Sequence, residues 1–149
     1  RVPFIAWWPH HVPSGTTSNL PFAFYDIMPT CCDLLGIKNY IRRYGHRDRG
    51  KTDWFDGLSI APTLLGRGTQ QQHDFLYWEF HETDQMAVRM GDWKLVVIQG
   101  VPRLYHLATD IHEDHDIADR HPDIVRRMVD IIYQQHTDNP LFKVTLPKR

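Results

Sequence analysis

A chain of 149 residues with 42% hydrophobic content and a formal net charge of −1 has enough apolar material for an ordinary domain with a real core. The balanced charge gives no electrostatic case for nucleic acid or an acidic membrane surface, and no run approaches the ~20 apolar residues of a membrane-spanning helix. The two cysteines, Cys31 and Cys32, are adjacent, which argues against an ordinary disulfide between them and leaves them as small buried apolar side chains.

The chain opens at Arg1 in RVPFIAWWP. Val2 to Trp8 is an apolar run ended by Pro9 and is expected to be a buried strand of a larger sheet. Natural N-termini seldom start inside such a strand. The start therefore predicts a piece cut from a longer protein, with any targeting signal lost alongside. His10 to Asn19 is turn-rich, and Pro21 suits the first turn of a helix. A repeated device follows: Asp26-Ile-Met-Pro-Thr runs to Gly36, and Ser59-Ile-Ala-Pro-Thr runs to Gly66. In each, a capping residue precedes a proline in the first turn, and glycine supplies a left-handed stop. These predict helices over about 27–35 and 60–65. Between them, Lys38 to Gly57 is a long polar loop, basic at Arg42, Arg43, Arg47, Arg49 and Lys51. A solvated loop is the default there, and polyanion binding is the sharper alternative.

From Asp74 the apolar period changes to two. Phe75 to Phe80 reads as a strand. Gln85 to Ile98 is a hairpin about Gly91-Asp92, with Met90 opposite Trp93, Val88 opposite Leu95 and Met86 opposite Val97 on one apolar face. The other face pairs Ala87 with Val96 and puts Arg89 against Lys94, a like-charge pair that wants a carboxylate beside it. Arg103 to Leu107 follows the Gly100-Val-Pro break, giving about four strands in meander order. Asp110 and Glu113 stand at capping-box spacing in an acidic turn. Pro122 starts the clearest helix, over 122–135, with Ile124, Val125, Met128, Val129, Ile131 and Ile132 on one stripe that should cover the sheet. Beyond about Gln135 the tail reads as polar and irregular.

These segments together resemble the C-terminal third of type I sulfatases, the arylsulfatase-like branch of the alkaline phosphatase superfamily. RVPFIAWWP is similar to that family's Arg-Val-Pro strand, DIMPTCCDLLGI to its Asp-x-x-Pro-Thr helix, and FDGLSIAPTLLG to its Asp-Gly-x-Ser-x-x-Pro-x-Leu segment. YWEF, AVRMGDWKLV and LYHLATDIHEDHDIADRHP are similar to its closing sheet and turn. The likeness runs over nearly all of residues 1–136, in the family's order, and the YWEFHE wording is most similar to bacterial sulfatases acting on sulfated glycans. The resemblance implies an α+β fold. Residues 1–70 would end the α/β catalytic domain with a strand and helices. Residues 71–149 would be a C-terminal subdomain of an antiparallel sheet with a long helix.

It further implies a parent sulfuric ester hydrolase that uses Ca²⁺ and a formylglycine nucleophile, exported if bacterial. Both belong upstream. The Cys/Ser-x-Pro-x-Arg motif that yields formylglycine is absent, since Cys31 and Cys32 are followed by Asp-Leu-Leu-Gly. No catalytic residue and no metal ligand of the family maps onto this chain. The segment alone is expected to be inert, buttressing the catalytic domain and lining the substrate cleft.

Candidate substrate contacts are His81 and Glu82, at the loop end of the Phe75–Phe80 strand, and His10 and His11, after the Arg-Val-Pro strand. Each has an ordinary alternative as a polar turn. Arg89 and Lys94 are expected to pair with carboxylates such as Glu79 rather than bind an anionic sugar. The acids and histidines of 110–116 are expected to serve their own turn rather than a metal. Rival readings are a stand-alone glycan-binding module, and part of a phosphonate hydrolase or phosphoglycerol transferase of the same superfamily. Self-association through an uncovered domain surface is a further expectation.

Overall fold

The computed structural model describes residues 2–40 and 56–148. The basic stretch with Arg42, Arg43, Arg47, Arg49 and Lys51 lies outside the described residues. The chain divides into two compact units, Arg1–His73 and Asp74–Arg149.

In the first unit a 3-10 turn, Phe24–Asp26, leads into helix α1, Ile27–Leu34, and a short helix α2 spans Ala61–Leu65. Both helices stop as expected from their glycines. Gly36 and Gly66 take φ of +66° and +63°. The N–H of Ile37 reaches the carbonyl of Cys32, and that of Arg67 reaches Pro62, closing Schellman-type ends that satisfy otherwise orphaned carbonyls.

The starts differ from expectation. No helix begins at Pro21. The Asp26 carboxylate accepts the Ala23 N–H at 2.8 Å while the Asp26 N–H donates to the Ala23 carbonyl, which fixes the first helical residue at Phe24. Val2 to Trp8 forms no strand among the described residues. It is extended and exposed, at 75% for Val2, 89% for Ile5 and 84% for Trp7. A strand needs a neighbour for its backbone bonds, and no described segment supplies one.

The second unit is a four-stranded antiparallel meander, β1 (Leu76–Phe80), β2 (Gln85–Met90), β3 (Trp93–Ile98) and β4 (Val101–His106), in spatial order β1-β2-β3-β4. The hairpin register is the one expected, Met90↔Trp93, Val88↔Leu95, Met86↔Val97 and Arg89↔Lys94. Gly91, first in the two-residue loop, has φ +58°, a conformation glycine adopts without steric cost. β4 starts earlier than expected, taking in Val101 and Pro102, because an edge strand tolerates proline's missing N–H.

Helix α3, Pro122–Gln135, occupies the expected span. Its Met128, Val129, Ile131 and Ile132 close a core with Met86, Val88, Leu95, Val97 and Leu104 of the sheet. Each fully buried aliphatic side chain there contributes about 1.5–3 kcal/mol. The sheet's other face carries the exposed Trp78, Phe80 and Val101. The tail beyond Gln135 is irregular, as expected, but it is packed rather than free: Val144 and Leu146 pack on the core, and Pro147 is fully buried.

Candidate functional site

Within the first unit the two Pro-Thr segments interlock. Asp26 is wholly buried, and its carboxylate is not the helix cap expected of it. Instead it accepts the Leu58 N–H at 2.8 Å and lies 2.7 Å from His73 Nε2, besides holding Ala23. Thr30 donates its hydroxyl to the Asp26 carbonyl and accepts the Ile60 N–H at 2.9 Å. Ser59 does accept the Ala61 N–H, at 3.2 Å, as its expected capping role requires. Gly57 lies so close to the α1 entry that a Cβ there would stand 2.0 Å from the Tyr25 carbonyl oxygen. The Asp-x-x-Pro-Thr and Asp-Gly-x-Ser segments are thus two halves of one hydrogen-bonded brace. Local rules saw them only as separate helix starts.

His10 and His11 lie in the turn after Trp8. His10 has φ +66°, and His11 stacks on Trp8 at 4.0 Å with Nδ1 3.0 Å from the Pro9 carbonyl. His11 is therefore engaged by its own turn. Of the cysteines, Cys32 is buried with Sγ 3.7 Å from Met28 Sδ, whereas Cys31 is exposed, contrary to the expectation of burial for both; the two are free thiols.

In the second unit, His81 and Glu82 share a 3-10 turn, His81–Thr83, between β1 and β2. Both are exposed, and His81 meets the ring of Phe142 edge-on at 4.7 Å. An imidazole and a carboxylate on one rigidly anchored turn can hydrogen-bond the hydroxyls of a sugar. Nearby, Glu79 accepts the Tyr77 hydroxyl and lies 2.8 Å from His136 Nδ1. Burial and then the bond to Glu79 raise the Tyr77 pKa. Sequence reasoning missed His136. Its signal, a histidine at the end of an amphipathic helix, says nothing of a partner 57 positions away.

The like-charge pair of the hairpin finds a carboxylate as expected, but only at Lys94 and not from Glu79. Lys94 pairs with Glu113 at 2.5 Å, and Arg89 Nε donates to the Gly91 carbonyl at 3.1 Å. Glu79 is not their partner, because β1 pairs Leu76 with Arg89 and Glu79 with Met86, which puts Glu79 on the opposite face. The Asp110 N–H donates to the His106 carbonyl, so Glu113, which holds Lys94, does not close the expected capping box.

Asp110 instead accepts the N–H groups of Asp114 and His115, and these bonds, the one from His115 foremost, lower its pKa. Asp116 accepts those of Leu104 and Ala118. Only Asp110 bonds solely within the loop, whereas Glu113 and Asp116 also tie it to β3 and β4; among the described residues no group of three or more His, Cys, Asp or Glu converges as a metal site. Among them, too, no helix is long and apolar enough to cross a membrane.

No family model matches the sequence. Known proteins do. An uncharacterized sulfatase of Schizosaccharomyces pombe is 27% identical over 148 residues, covering 92% of this chain and 25% of its own length. N-acetylgalactosamine-6-sulfatase of Mus musculus is 31% identical over 94 residues, 63% of this chain and 16% of its own. Among solved structures, Ps i-CgsB superposes over 95% of this chain and 30% of its own with TM-score 0.65 at 23% identity. The phosphonate monoester hydrolase of Agrobacterium radiobacter covers 73% of this chain and 23% of its own with TM-score 0.51 at 24% identity. The α+β arrangement is thus shared with parts of larger proteins. The chain is sulfatase-like, with the make-up of the C-terminal part of that family. It spans a quarter or less of the length of these curated relatives.

Proposed function

We propose that the chain is the C-terminal portion of a sulfatase that hydrolyses sulfate esters on carbohydrates. In this reading residues 1–70 end the catalytic α/β domain, and residues 71–149 form an accessory subdomain that buttresses it and lines the cleft. The observation that carries the reading is the likeness to a curated sulfatase along 92% of the chain. The carbohydrate part draws support from the N-acetylgalactosamine-6-sulfatase relative.

The described residues do not fit the cofactors such an enzyme uses. Asp110 and Asp116 are committed to backbone N–H groups and Glu113 to Lys94, and no group of three or more His, Cys, Asp or Glu among the described residues could hold Ca²⁺. Neither cysteine stands in a formylglycine motif. In this reading Ca²⁺, formylglycine and the proton-transfer groups belong to the upstream catalytic domain, the principal partner of this segment. What this chain contributes is position and substrate contact: His81 and Glu82 from the β1–β2 turn, and His10 and His11 from the turn after Trp8.

The test is steady-state kinetics of the full-length enzyme with His81→Ala or Glu82→Gln, on a sulfated oligosaccharide and on a small aryl sulfate. Loss of one hydrogen bond to the extended substrate raises its KM about tenfold and leaves the aryl sulfate unchanged. Equal effects on both substrates would remove these residues from the cleft. A second reading, phosphonate or phosphate-ester hydrolysis, is favoured by the likeness to the Agrobacterium radiobacter enzyme. Preference for an aryl phosphonate over the matched aryl sulfate would establish it.

A further inference from the structure

The tail after α3 crosses the second unit and is fastened at both ends by ionisable groups. His136 ends the helix, and its N–H still donates to the Ile132 carbonyl at 2.8 Å. Its side chain is only 10% exposed, with Nδ1 2.8 Å from Glu79 Oε1 and Nε2 3.1 Å from Asp138 Oδ1. Ionised carboxylates only accept hydrogen bonds, so the ring satisfies both contacts only when both nitrogens carry protons. Further along, Asp84 accepts the Thr145 N–H at 2.6 Å and the Thr145 hydroxyl at 2.7 Å. Between these clasps Phe142 lies edge-on to His81, and beyond them Tyr133 donates its hydroxyl to the Pro147 carbonyl at 2.9 Å. The fit is close. A Cβ on Gly100 would stand 2.9 Å from Thr145 Cγ2.

We propose that residues 136–148 form a pH-gated strap, docked while His136 is an imidazolium and Asp84 a carboxylate, and loosened when either charge is lost. The groups facing His136 are Glu79 and, through the same carboxylate, Tyr77 from β1, and Asp138 from the tail. β2 presents the uncharged Met86 opposite Glu79.

The signs follow from linkage. Burial opposes the charge on His136, but Glu79 and then Asp138 more than offset it and hold the pKa above the ordinary 6.5. That clasp is complete below 6.5 and is lost as pH rises through the raised value. The Thr145 N–H and hydroxyl hold Asp84 below its ordinary 3.8, so the second clasp is complete above 3.8 and is lost as pH falls through the lowered value. The strap is held best between those limits. Because Phe142 packs on His81, opening the strap also unpins the turn that carries His81 and Glu82. The strap itself does not depend on those residues meeting a sugar.

Amide hydrogen exchange of Thr145, corrected for the intrinsic pH dependence, tests this alongside an NMR titration of the His136 ring. His136 should titrate above 6.5. Thr145 protection should peak between the two midpoints and fall on the alkaline side as His136 loses its proton. His136→Gln should abolish the alkaline loss, and Asp84→Asn should reduce the acidic one. A His136 midpoint at or below 6.5 would overturn the proposal, as would flat wild-type protection between acid and alkali. The wild-type titration decides the matter by itself if a variant fails to fold.

Discussion

The Asp26 side chain has no exposed surface, and three groups reach its carboxyl oxygens: the N–H groups of Ala23 and Leu58, and the His73 ring. A buried carboxylate is tolerable only with such partners, and removing it strands all of them. Asp26→Ala should therefore destabilise the first unit by about 3 kcal/mol in urea unfolding. Gly57→Ala should cost about 1–3 kcal/mol by the same measurement, because the new Cβ meets the Tyr25 carbonyl rather than a side chain that can move aside. A neutral result at Gly57 would mean that the loop does not approach α1 as described. Both residues were visible in the sequence as turn and cap chemistry. Their real partners lie as many as 47 positions away, beyond the reach of rules based on spacing. The same limit hid the Glu79–His136 contact and misassigned the partner of Lys94.

At the level of elements, the second unit was legible because its information is local. A two-residue Gly-Asp loop sets the hairpin register, and register decides which side chains share a face. The stripe from Ile124 to Ile132 then supplies the cover for that face. Met128 is fully buried in the shared core, so Met128→Ala should cost about 2–5 kcal/mol in chemical denaturation. Glu113→Gln, by contrast, breaks a pair whose members are each more than a quarter exposed. It should cost less than about 1 kcal/mol and less still at high salt, and a larger, salt-insensitive loss would contradict this. The segment Val2 to Trp8 failed as a strand for the opposite reason. Its composition suits a sheet, but strand formation depends on a neighbour that no local pattern encodes. Of the candidate site, the positions of His81 and Glu82 at the end of β1 were readable from the strand pattern, whereas the packing of Phe142 on His81 was not.

For the whole molecule, the division at His73 and Asp74 separates a brace of short helices from a sheet-and-helix unit with its own core. Neither unit, among its described residues, assembles a metal cluster, and neither cysteine sits in a formylglycine motif, while the matched part of the chain covers a quarter or less of its curated relatives. The proposed function, carried by the likeness to a curated sulfatase along 92% of the chain, assigns turnover to the full-length protein and an accessory role to this segment. The direct measurement is sulfate release from an aryl sulfate and from sulfated glycans, comparing the 149-residue chain with the full-length protein coexpressed with a formylglycine-generating enzyme. Turnover by the full-length protein and none by the segment is the predicted result. Sulfate release by the 149-residue chain alone would contradict it and would require a nucleophile among these residues.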